Sequence, residues 1–310
     1  MPLKLSCDQA RFSEALARVA NVVSPRTPQP ITLNVRILAD ANHTVTLFAT
    51  DFDRSLRILL RDPDVKVLSP GDVCLPARKL SETVAMLDKS DPVLLTETGD
   101  GASVQSGRST FKFRGQNPQD FPTFPEFDAS QSFLLPAKDL AHMADMVAFA
   151  IATERSRYSL NGVLFEVRPD KLTLVGSDGK RLAMISKSFE IGRDYSKQHV
   201  IVPRKGIELL QWACQQSDTV QVQIRENQLL ASTDQAVVST LLVNGLYPDF
   251  RQVLPNEADL DKKAVLNRDL FLLNLRRVSK FTTDDSMSVR FHFEAHKLTM
   301  SSRSPEEGEA

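Results

Sequence analysis

Two stretches of the chain, residues 44–79 and 171–206, carry the same pattern of residues. In each copy a strand-like run of alternating apolar and polar residues ends in Thr or Ser followed by Asp. Later in each copy a Pro is closely followed by Arg-Lys. Asp51 of the first copy corresponds to Asp178 of the second, and Pro76 corresponds to Pro203 at the same separation. This separation spans a whole domain and is far longer than the roughly 20–50 residues of a solenoid unit. The chain is therefore built from duplicated domains, which favours pseudo-symmetric assembly.

A third copy begins near the C-terminus. Leu266-Asn-Arg-Asp-Leu-Phe opens a helical run in the way that the segments from Leu5 and Leu135 do. Lys297-Leu-Thr-Met repeats the string Lys171-Leu-Thr-Leu. A complete third copy would need more residues than the 310 of the chain. The repeat therefore predicts three domains, the third of them incomplete, at residues 1–127, 128–256 and 257–310.

Composition places the chain among globular proteins, with 42% hydrophobic and 25% charged residues. There is no run of 18 apolar residues, and the N-terminus lacks the apolar core of a signal peptide. Cys7, Cys74 and Cys214 have no Cys-x-x-Cys spacing, which is typical of reduced thiols in a cytoplasmic protein. The net charge of −1 still allows a local basic surface for nucleic acid.

Each copy divides into two similar halves, and each half is predicted to hold one helix followed by three strands. In the first half Phe12, Leu16, Val19 and Val23 follow helical spacing, which predicts a helix over about 8–23. Alternating apolar residues predict strands in the first domain at about 31–39, 44–50, 55–60, 93–98, 102–106 and 109–114.

The second helix of the first domain is predicted to begin at Pro76, because proline is favoured in a first helical turn. Two more helices are expected at about 136–151 and 203–216. Linkers rich in Pro, Asp and Asn are expected at Pro118–Ser130 and Pro248–Asp261. This order predicts an α+β fold whose helices lie on one face of mainly antiparallel sheets.

Four strings together resemble a known family, and each stands at the spacing that the family has: Arg157-Tyr-Ser-Leu-Asn-Gly-Val-Leu-Phe-Glu, Ser177-Asp-Gly-Lys-Arg-Leu-Ala, Val200-Ile-Val-Pro-Arg-Lys-Gly and Tyr247-Pro-Asp-Phe-Arg-Gln-Val-Leu-Pro. The family is the bacterial DNA polymerase sliding clamp, the beta subunit of DNA polymerase III. Ser106-Gly-Arg-Ser-Thr-Phe is similar to a string of its first domain. The resemblance covers the whole chain in order.

The resemblance implies the DNA clamp fold, in which each repeated domain packs two helices on antiparallel sheets. It implies a head-to-tail homodimeric ring of six domains around double-stranded DNA, with helices lining the hole and sheets forming the rim. A member of this family has no catalytic activity and no cofactor. Its partners are the replicative DNA polymerase catalytic subunit, the clamp loader and other proteins with a clamp-binding motif, and it contacts no membrane.

Basic pairs recur at the same point of both copies, at predicted helix starts. These are Arg78 with Lys79 and Arg204 with Lys205. Such residues attract phosphates without reading sequence, as sliding requires. A solvated helix face is the alternative interpretation. The resemblance adds Arg26, in a proline-stiffened loop, and Tyr158 as DNA contacts.

The resemblance also implies a pocket for peptides of partner proteins. Its walls match these residues: Leu160, Ser177, Asp178, Gly179, Lys180, Arg181, Leu182, Pro248, Gln252 and Val253. Lys180 stands where the family often has His, and Gln252 where it often has Arg. A hairpin turn is the alternative interpretation of Ser177-Asp-Gly-Lys, and Asp51-Phe-Asp-Arg is expected to be a turn alone.

In the family the edge of the first domain pairs with the third domain of the partner. The matching residues are Ser106, Gly107, Arg108, Phe111 and Phe113. Because the third domain is expected to be incomplete, we expect this chain to lose stable ring closure. A clamp-like peptide-binding module that cannot close a ring is the alternative function.

The sequence does not favour an enzyme. Asp51-x-Asp53 has no third metal ligand signalled beside it, and His292 and His296 are expected on the exposed face of a strand. No Gly-rich phosphate loop or Ser/His/Asp arrangement is indicated. We therefore expect no catalytic residues, no metal and no cofactor; a repeat-built hydrolase would need a clustered acid-base pair.

Overall fold

The computed structural model describes residues 2–153, 158–282, 288–304 and 308–309. The chain forms two compact units, Met1–Pro248 and Asp249–Ala310. No helix in the described ranges is long and apolar enough to cross a membrane.

The first domain holds its helices and strands in this order: β1 (Lys4–Cys7), α1 (Gln9–Val22), β2 (Asn34–Ala39), β3 (Val45–Thr50), β4 (Arg54–Leu60), β5 (Val65–Ser69), β6 (Gly71–Pro76), α2 (Ala77–Ala85), β7 (Val93–Thr98), β8 (Gly101–Ser106) and β9 (Ser109–Arg114). The second domain follows the same plan, except that no strand in its described part takes the place of β5: β10 (Ser132–Pro136), α3 (Ala137–Ala148), β11 (Gly162–Arg168), β12 (Lys171–Ser177), β13 (Leu182–Ser188), β14 (Val200–Pro203), α4 (Arg204–Gln215), β15 (Thr219–Ile224), β16 (Gln228–Ser232) and β17 (Ala236–Leu241).

Each half-domain begins with a strand that the sequence does not predict, and the first half holds a second unpredicted strand, β5. Strands β1, β6, β10 and β14 each lead almost directly into a helix. Pro76, Pro136 and Pro203 end three of these strands and occupy the N-cap of the following helix, with φ of −56°, −62° and −65°. The fixed φ of proline suits this sharp change from strand to helix, so the prolines mark the junction without revealing the short strand before it.

The strand predicted at about 31–39 begins later than expected. Pro30–Leu33 forms a 3₁₀ turn, and β2 starts at Asn34. The Asn34 side chain donates to the carbonyl oxygens of Pro30 and Ile31 at 3.3 and 3.1 Å, which holds the turn in place. The local hydrogen bonds from this side chain to the backbone thus stabilise a turn where the alternating pattern predicts a strand.

The helices pack in pairs against the sheets, α1 with α2 and α3 with α4. Helix α1 begins where the side chain of Asp8 accepts a hydrogen bond from the backbone N–H of Arg11 at 3.0 Å. Phe12, Leu16 and Val19 of α1 are fully buried, as their spacing predicts. The burial of these residues determines which face of α1 packs in the core and which face is available for other contacts.

All named strands pair antiparallel, in three sheets of the first unit. The orders are β5-β1-β7-β8-β9, β13-β12-β11-β14 and β10-β15-β16-β17-β4-β3-β2-β6. The eight-stranded sheet crosses the boundary between the first two domains, because β4 of the first pairs with β17 of the second. This arrangement matches the predicted α+β fold with helices on antiparallel sheets.

The joint between β4 and β17 is apolar on its inner face. Leu56 lies opposite Val238, and the two are 0% and 3% exposed. On the outer face Arg57 lies over the ring of Phe124, a residue of the predicted linker, at 5.4 Å. Burial lowers the pKa of Arg57 below its ordinary value. The linker is thus held against the joint that it connects.

The second unit is small and contains α5 (Arg268–Val278), β18 (Arg290–Glu294), β19 (Lys297–Ser301), β20 (Arg303–Ser304) and β21 (Gly308–Glu309). The side chain of Asn267 accepts from the N–H of Leu270 at 3.0 Å and caps α5. The rings of Phe271 and Phe291 stack at 5.8 Å and join the helix to the hairpin of β18 and β19.

Candidate nucleic-acid interface and partner surfaces

The two basic pairs lie in the first turn of a helix, as predicted. Arg78 and Lys79 are exposed at the start of α2, and Lys205 is exposed at the start of α4. Arg204 is half-buried beside it. The positive end of each helix dipole therefore adds to the charge of its Arg-Lys pair, so both sites favour an anion.

The arginine of each pair also has a structural contact. The Nη2 of Arg78 donates to the carbonyl oxygen of Val23 at 3.0 Å, at the end of α1. The Nη2 of Arg204 donates to the carbonyl oxygen of Ile151 at 3.2 Å, just after α3. These bonds satisfy carbonyls near helix C-termini and link the two helices of each domain. The lysines, in contrast, project from the same turns as exposed cations.

A cavity of about 410 Å³ brings basic residues of the two domains together. Its lining includes Arg18 of α1, Arg78 of α2 and Lys205 of α4. The guanidinium carbon of Arg18 lies 5.7 Å from the ring centroid of Trp212, and Glu208 supplies a carboxylate in the lining. Sequence reasoning missed Arg18, because a lone Arg among the core positions of α1 carries no signal of its own.

Arg26 is exposed in the loop after α1. The hydroxyl of Ser24 donates to the carbonyl oxygen of Arg26 at 2.8 Å, and that of Thr27 to the carbonyl of Gln29 at 3.3 Å. Local hydrogen bonds therefore stiffen this loop in addition to its prolines. Tyr158 begins the 3₁₀ turn Tyr158–Leu160, and its side chain lies outside the described residues.

The segment Ser177–Leu182 forms the hairpin turn between β12 and β13. The Oδ1 of Asp178 accepts from the N–H groups of Lys180 and Arg181 at 2.9 and 3.0 Å. These bonds lower the pKa of Asp178. Gly179 has a φ of 82°, which only glycine adopts freely. The interpretation of this segment as a hairpin turn is thus correct. The prediction of a peptide pocket stays open, because the turn presents these residues at the end of a sheet.

The remaining pocket residues differ in how they are held. Arg181 bonds the Oδ2 of Asp178 at 3.1 Å and the carbonyl oxygen of Phe149 at 3.0 Å, so its guanidinium is fixed over the end of α3. Leu160 is buried and Leu182 half-buried.

Pro248 is exposed and follows Tyr247, whose hydroxyl donates to the carbonyl oxygen of Val175 at 3.4 Å. Leu160, the turn and Pro248 all belong to the first unit, in which Tyr247 ties the segment before Pro248 to β12. Gln252 and Val253 belong to the second unit and lie in the 3₁₀ turn Phe250–Val253.

The predicted subunit edge is the outer strand of the five-stranded sheet. In the described part of the chain β9 pairs only with β8. Phe113 is buried, whereas Phe111 is 40% exposed. Ser106 and Arg108 flank Gly107, whose φ is 53° and where a Cβ would lie 2.4 Å from the Oδ2 of Asp91. The hairpin therefore needs glycine at this point and presents an open strand edge.

No group of three or more His, Cys, Asp and Glu side chains in the described ranges could hold a metal ion. Asp51 is bound to Arg54 at 2.9 Å, in the turn between β3 and β4 that was expected there. His292 and His296 are exposed at the hairpin of β18 and β19.

Comparison with known proteins decides the family. Residues 3–125 match the model of the DNA polymerase III beta subunit, N-terminal domain, and residues 134–249 match the model of its central domain. The beta sliding clamp of Escherichia coli K12 is 30% identical over 311 residues, which cover 99% of this chain and 82% of that protein. The chain belongs to the bacterial beta sliding clamp family.

Solved sliding clamps have the same fold. A sliding clamp from Bartonella birtlesii, solved with bound griselimycin, superposes with a TM-score of 0.89 at 31% identity, over all of this chain and 83% of that one. The clamp from Bacillus subtilis gives a TM-score of 0.88 at 25% identity. The clamp fold and the sliding-clamp function predicted from the sequence are confirmed. The protein is a processivity factor of DNA polymerase III and a non-catalytic accessory subunit.

Proposed function

We propose that this sliding clamp holds duplex DNA through the basic pairs at the starts of α2 and α4, with Arg26 and Tyr158 as further contacts. The observation that carries the proposal is the shared cavity, which places Arg78 of one domain and Lys205 of the next around a single space. The two helix starts thus form one basic surface across the domain joint, and phosphates of one duplex can contact both.

Contacts of this kind explain how a clamp can slide. Lys79 and Lys205 are exposed, and flexible lysines bind phosphates as point charges with no base preference. The energy of the complex then changes little as the duplex moves. Retention comes from the topological link between ring and DNA, so individual contacts can stay weak.

The clamp serves other proteins that act on DNA. Its partners are the replicative DNA polymerase catalytic subunit, the clamp loader and other proteins with a clamp-binding motif, in the cytoplasm.

On the first unit we place the peptide contact at Leu160, Leu182 and Pro248, with Arg181 as a donor at the rim. A short peptide with a Gln and two large apolar residues fits such a surface. Gln252 and Val253 stay predictions from the family.

Ring closure is assigned to the open edge of β9. In the ring this edge, from Ser106 to Phe113, pairs with the third domain of a second subunit. A second candidate function is a peptide-binding module that does not close a ring.

The DNA proposal is tested by reversing the two exposed lysines, Lys79→Glu with Lys205→Glu, and measuring duplex affinity over a series of salt concentrations. We expect weaker binding and a slope of log K against log salt that is reduced by about 0.9 for each lost phosphate contact. The matched control reverses Lys66 and Lys197, which are exposed on a strand and in a loop. Equal losses in both pairs, or binding that depends on sequence, would contradict the proposal.

Retention separates the two candidate functions. A closed ring stays on circular duplex and leaves linear duplex by its ends, whereas an open module is lost from both at the same rate.

The peptide surface is tested by NMR: chemical-shift changes on peptide addition should map to Leu160 and Leu182. Changes confined to other residues would overturn that assignment.

A further inference from the structure

The segment from Asn244 to Pro248 follows β17 and ends at the proline of the candidate peptide surface. Tyr247 anchors this segment at two points. Its backbone N–H donates to the Nδ1 of His199 at 3.1 Å, and its hydroxyl donates to the carbonyl oxygen of Val175 on β12 at 3.4 Å. The backbone next to Pro248 is therefore held in part by a bond that the imidazole of His199 accepts.

This bond requires one protonation state of His199. Only a ring nitrogen without a proton can accept, so the neutral imidazole carries its proton on Nε2. An imidazolium has a proton on both nitrogens and can only donate, so protonation ends the bond. Histidine is the side chain whose charge ordinarily changes between about pH 5 and 8. The hydroxyl of Tyr247 does not titrate there, because burial raises its pKa to about 12.

The two partners of the bond differ in burial. Tyr247 is 4% exposed, whereas His199 is exposed at the start of β14. A buried N–H without an acceptor is unfavourable, so loss of the bond favours a backbone rearrangement that lets this group reach water. A proton can reach His199 without any such rearrangement. The group that changes charge thus lies at the surface, and the group that it holds lies inside.

The structure leaves room for the segment to move. A cavity of about 870 Å³ is lined by His199, Asn244 and Gly245, together with the turn between β15 and β16. Gly245 has a φ of 136°, which residues with a side chain rarely adopt. A Cβ built at Gly245 would meet one described atom within 4 Å, the Cβ of Ser159 at 3.8 Å. The backbone is therefore loosely packed at a residue that can absorb a change of dihedral angles.

The segment touches the peptide surface at both of its ends. Gly245 lies beside Ser159, which precedes Leu160 of that surface. Tyr247 precedes Pro248 of the same surface. A shift of the segment therefore changes the distance between two parts of the proposed peptide contact.

We propose that His199 is a positioning residue for the peptide surface: its neutral form fixes Tyr247, and its protonation releases the segment and weakens peptide binding. The inference rests on the peptide contact proposed above. It adds a residue that lies outside this contact and a dependence of peptide affinity on pH.

The charged groups near His199 come from two elements. Arg225 and Glu226 of the turn between β15 and β16 line the same cavity, and Lys197 lies two residues earlier on the segment of His199 itself. The guanidinium of Arg225 donates to the carbonyl oxygen of Glu126, so it is bound to another part of the chain. Arginine, lysine and glutamate ordinarily change charge outside the range of histidine. A response between about pH 5 and 8 is therefore expected to follow the imidazole.

The first measurement needs no peptide. Amide hydrogen exchange of Tyr247, corrected for the intrinsic rate at each pH, reports how well its N–H is protected. In the native chain we expect protection at about pH 5.5 to be roughly tenfold lower than at about pH 7.5. His199→Asn should show equal protection at both, because the amide oxygen of Asn can accept the same bond and does not titrate. The matched control is His142→Asn, at an exposed histidine of α3, which should keep the native response.

The second measurement is the affinity for a capped peptide with one Gln, two Leu and no ionisable side chain. The dissociation constant of the native chain should rise about fivefold between about pH 7.5 and 5.5 and stay level in His199→Asn. His199→Leu, which has no acceptor, should bind at both pH values as weakly as the native chain does in acid. A merely structural role of His199 would weaken binding in both variants and would give no pH response for Asn to remove.

Three results would overturn the inference: equal protection of Tyr247 at both pH values in the native chain, release of Tyr247 with no change in peptide affinity, or a pH response that persists in His199→Asn. Absence of peptide binding at every pH would instead contradict the peptide contact itself, and the positioning role with it. Failure of the proposed contact is thus distinguishable from failure of the role of His199.

Discussion

Arg54 and Arg181, which occupy the same position in the two copies of the repeat, make the same contacts. Each guanidinium bonds the Asp three residues before it, Asp51 at 2.9 Å and Asp178 at 3.1 Å. Each also donates to a carbonyl at the end of the preceding helix, from Arg54 to Val22 at 3.1 Å and from Arg181 to Phe149 at 3.0 Å. The duplication therefore preserves individual hydrogen bonds as well as the fold.

The two arginines differ in burial, which predicts different effects of the same substitution. The side chain of Arg54 is 11% exposed and that of Arg181 60%. Arg54→Ala leaves the buried carboxylate of Asp51 without its cationic partner and should lower the free energy of unfolding by about 3 kcal/mol. Arg181→Ala should cost less than about 1 kcal/mol, because solvent screens the exposed pair. Urea unfolding of both variants checks this; equal losses would contradict it.

The hairpin turns allow a second comparison. Gly179 has a φ of 82°, and we expect Gly179→Ala to lower the free energy of unfolding by about 1 kcal/mol, since a Cβ is disfavoured in the left-handed region. The control is Gly99→Ala, where an added Cβ has no atom within 4 Å and φ is not in that region. Thermal unfolding should separate the two variants. A neutral Gly179→Ala would show that the turn relaxes around the new side chain.

Much of the fold could be predicted from periodicity, because regular spacing survives in each element. The strands at about 93–98 and 109–114 agree with β7 and β9, and the helix at about 8–23 agrees with α1. Strands β1 and β14 escaped prediction because four residues are too few for an alternating pattern. The pairing of β4 with β17 joins residues far apart in the chain, and local sequence carries no information on it.

The candidate DNA surface was visible for a different reason. An Arg-Lys pair follows the corresponding proline in both copies of the repeat, and this recurrence distinguishes the pairs from other surface charges. Arg18 has no such counterpart to mark it, and only the packing of α1 near α4 places it beside Lys205. The hydrogen bonds of Arg78 and Arg204 to helix ends were equally hidden, because they depend on where the preceding helix stops.

Those bonds predict that stability and DNA affinity respond differently within one pair. Arg204→Ala removes the donor to the carbonyl of Ile151 and should lower the free energy of unfolding by about 1 kcal/mol, as well as weaken DNA binding. Lys205→Ala should weaken DNA binding and leave stability within about 0.5 kcal/mol of the native value. Denaturation and duplex titration of each variant measure the two effects. If Lys205→Ala lowers the free energy of unfolding as much as Arg204→Ala does, the role of Lys205 at the interface is structural.

Alkaline pH provides a test of the buried thiols and of Tyr247. Burial raises the pKa of Cys74 and Cys214 from 9.0 to about 12, and that of Tyr247 from 10.0 to about 12. Each group loses its proton in the unfolded chain at a lower pH than in the folded protein. The unfolded state then binds fewer protons, so stability falls as pH rises.

The stability that these three groups contribute should be complete below pH 9.0 and should be lost progressively as pH rises toward about 12. The urea midpoint is therefore expected to be level just below this window and to fall within it. Cys214→Ala removes one of the three ionising groups, so its midpoint should start lower, because of the small cavity, and decline less steeply. A variant whose decline is as steep as that of the native protein would show that the Cys214 thiol does not ionise on unfolding in this range.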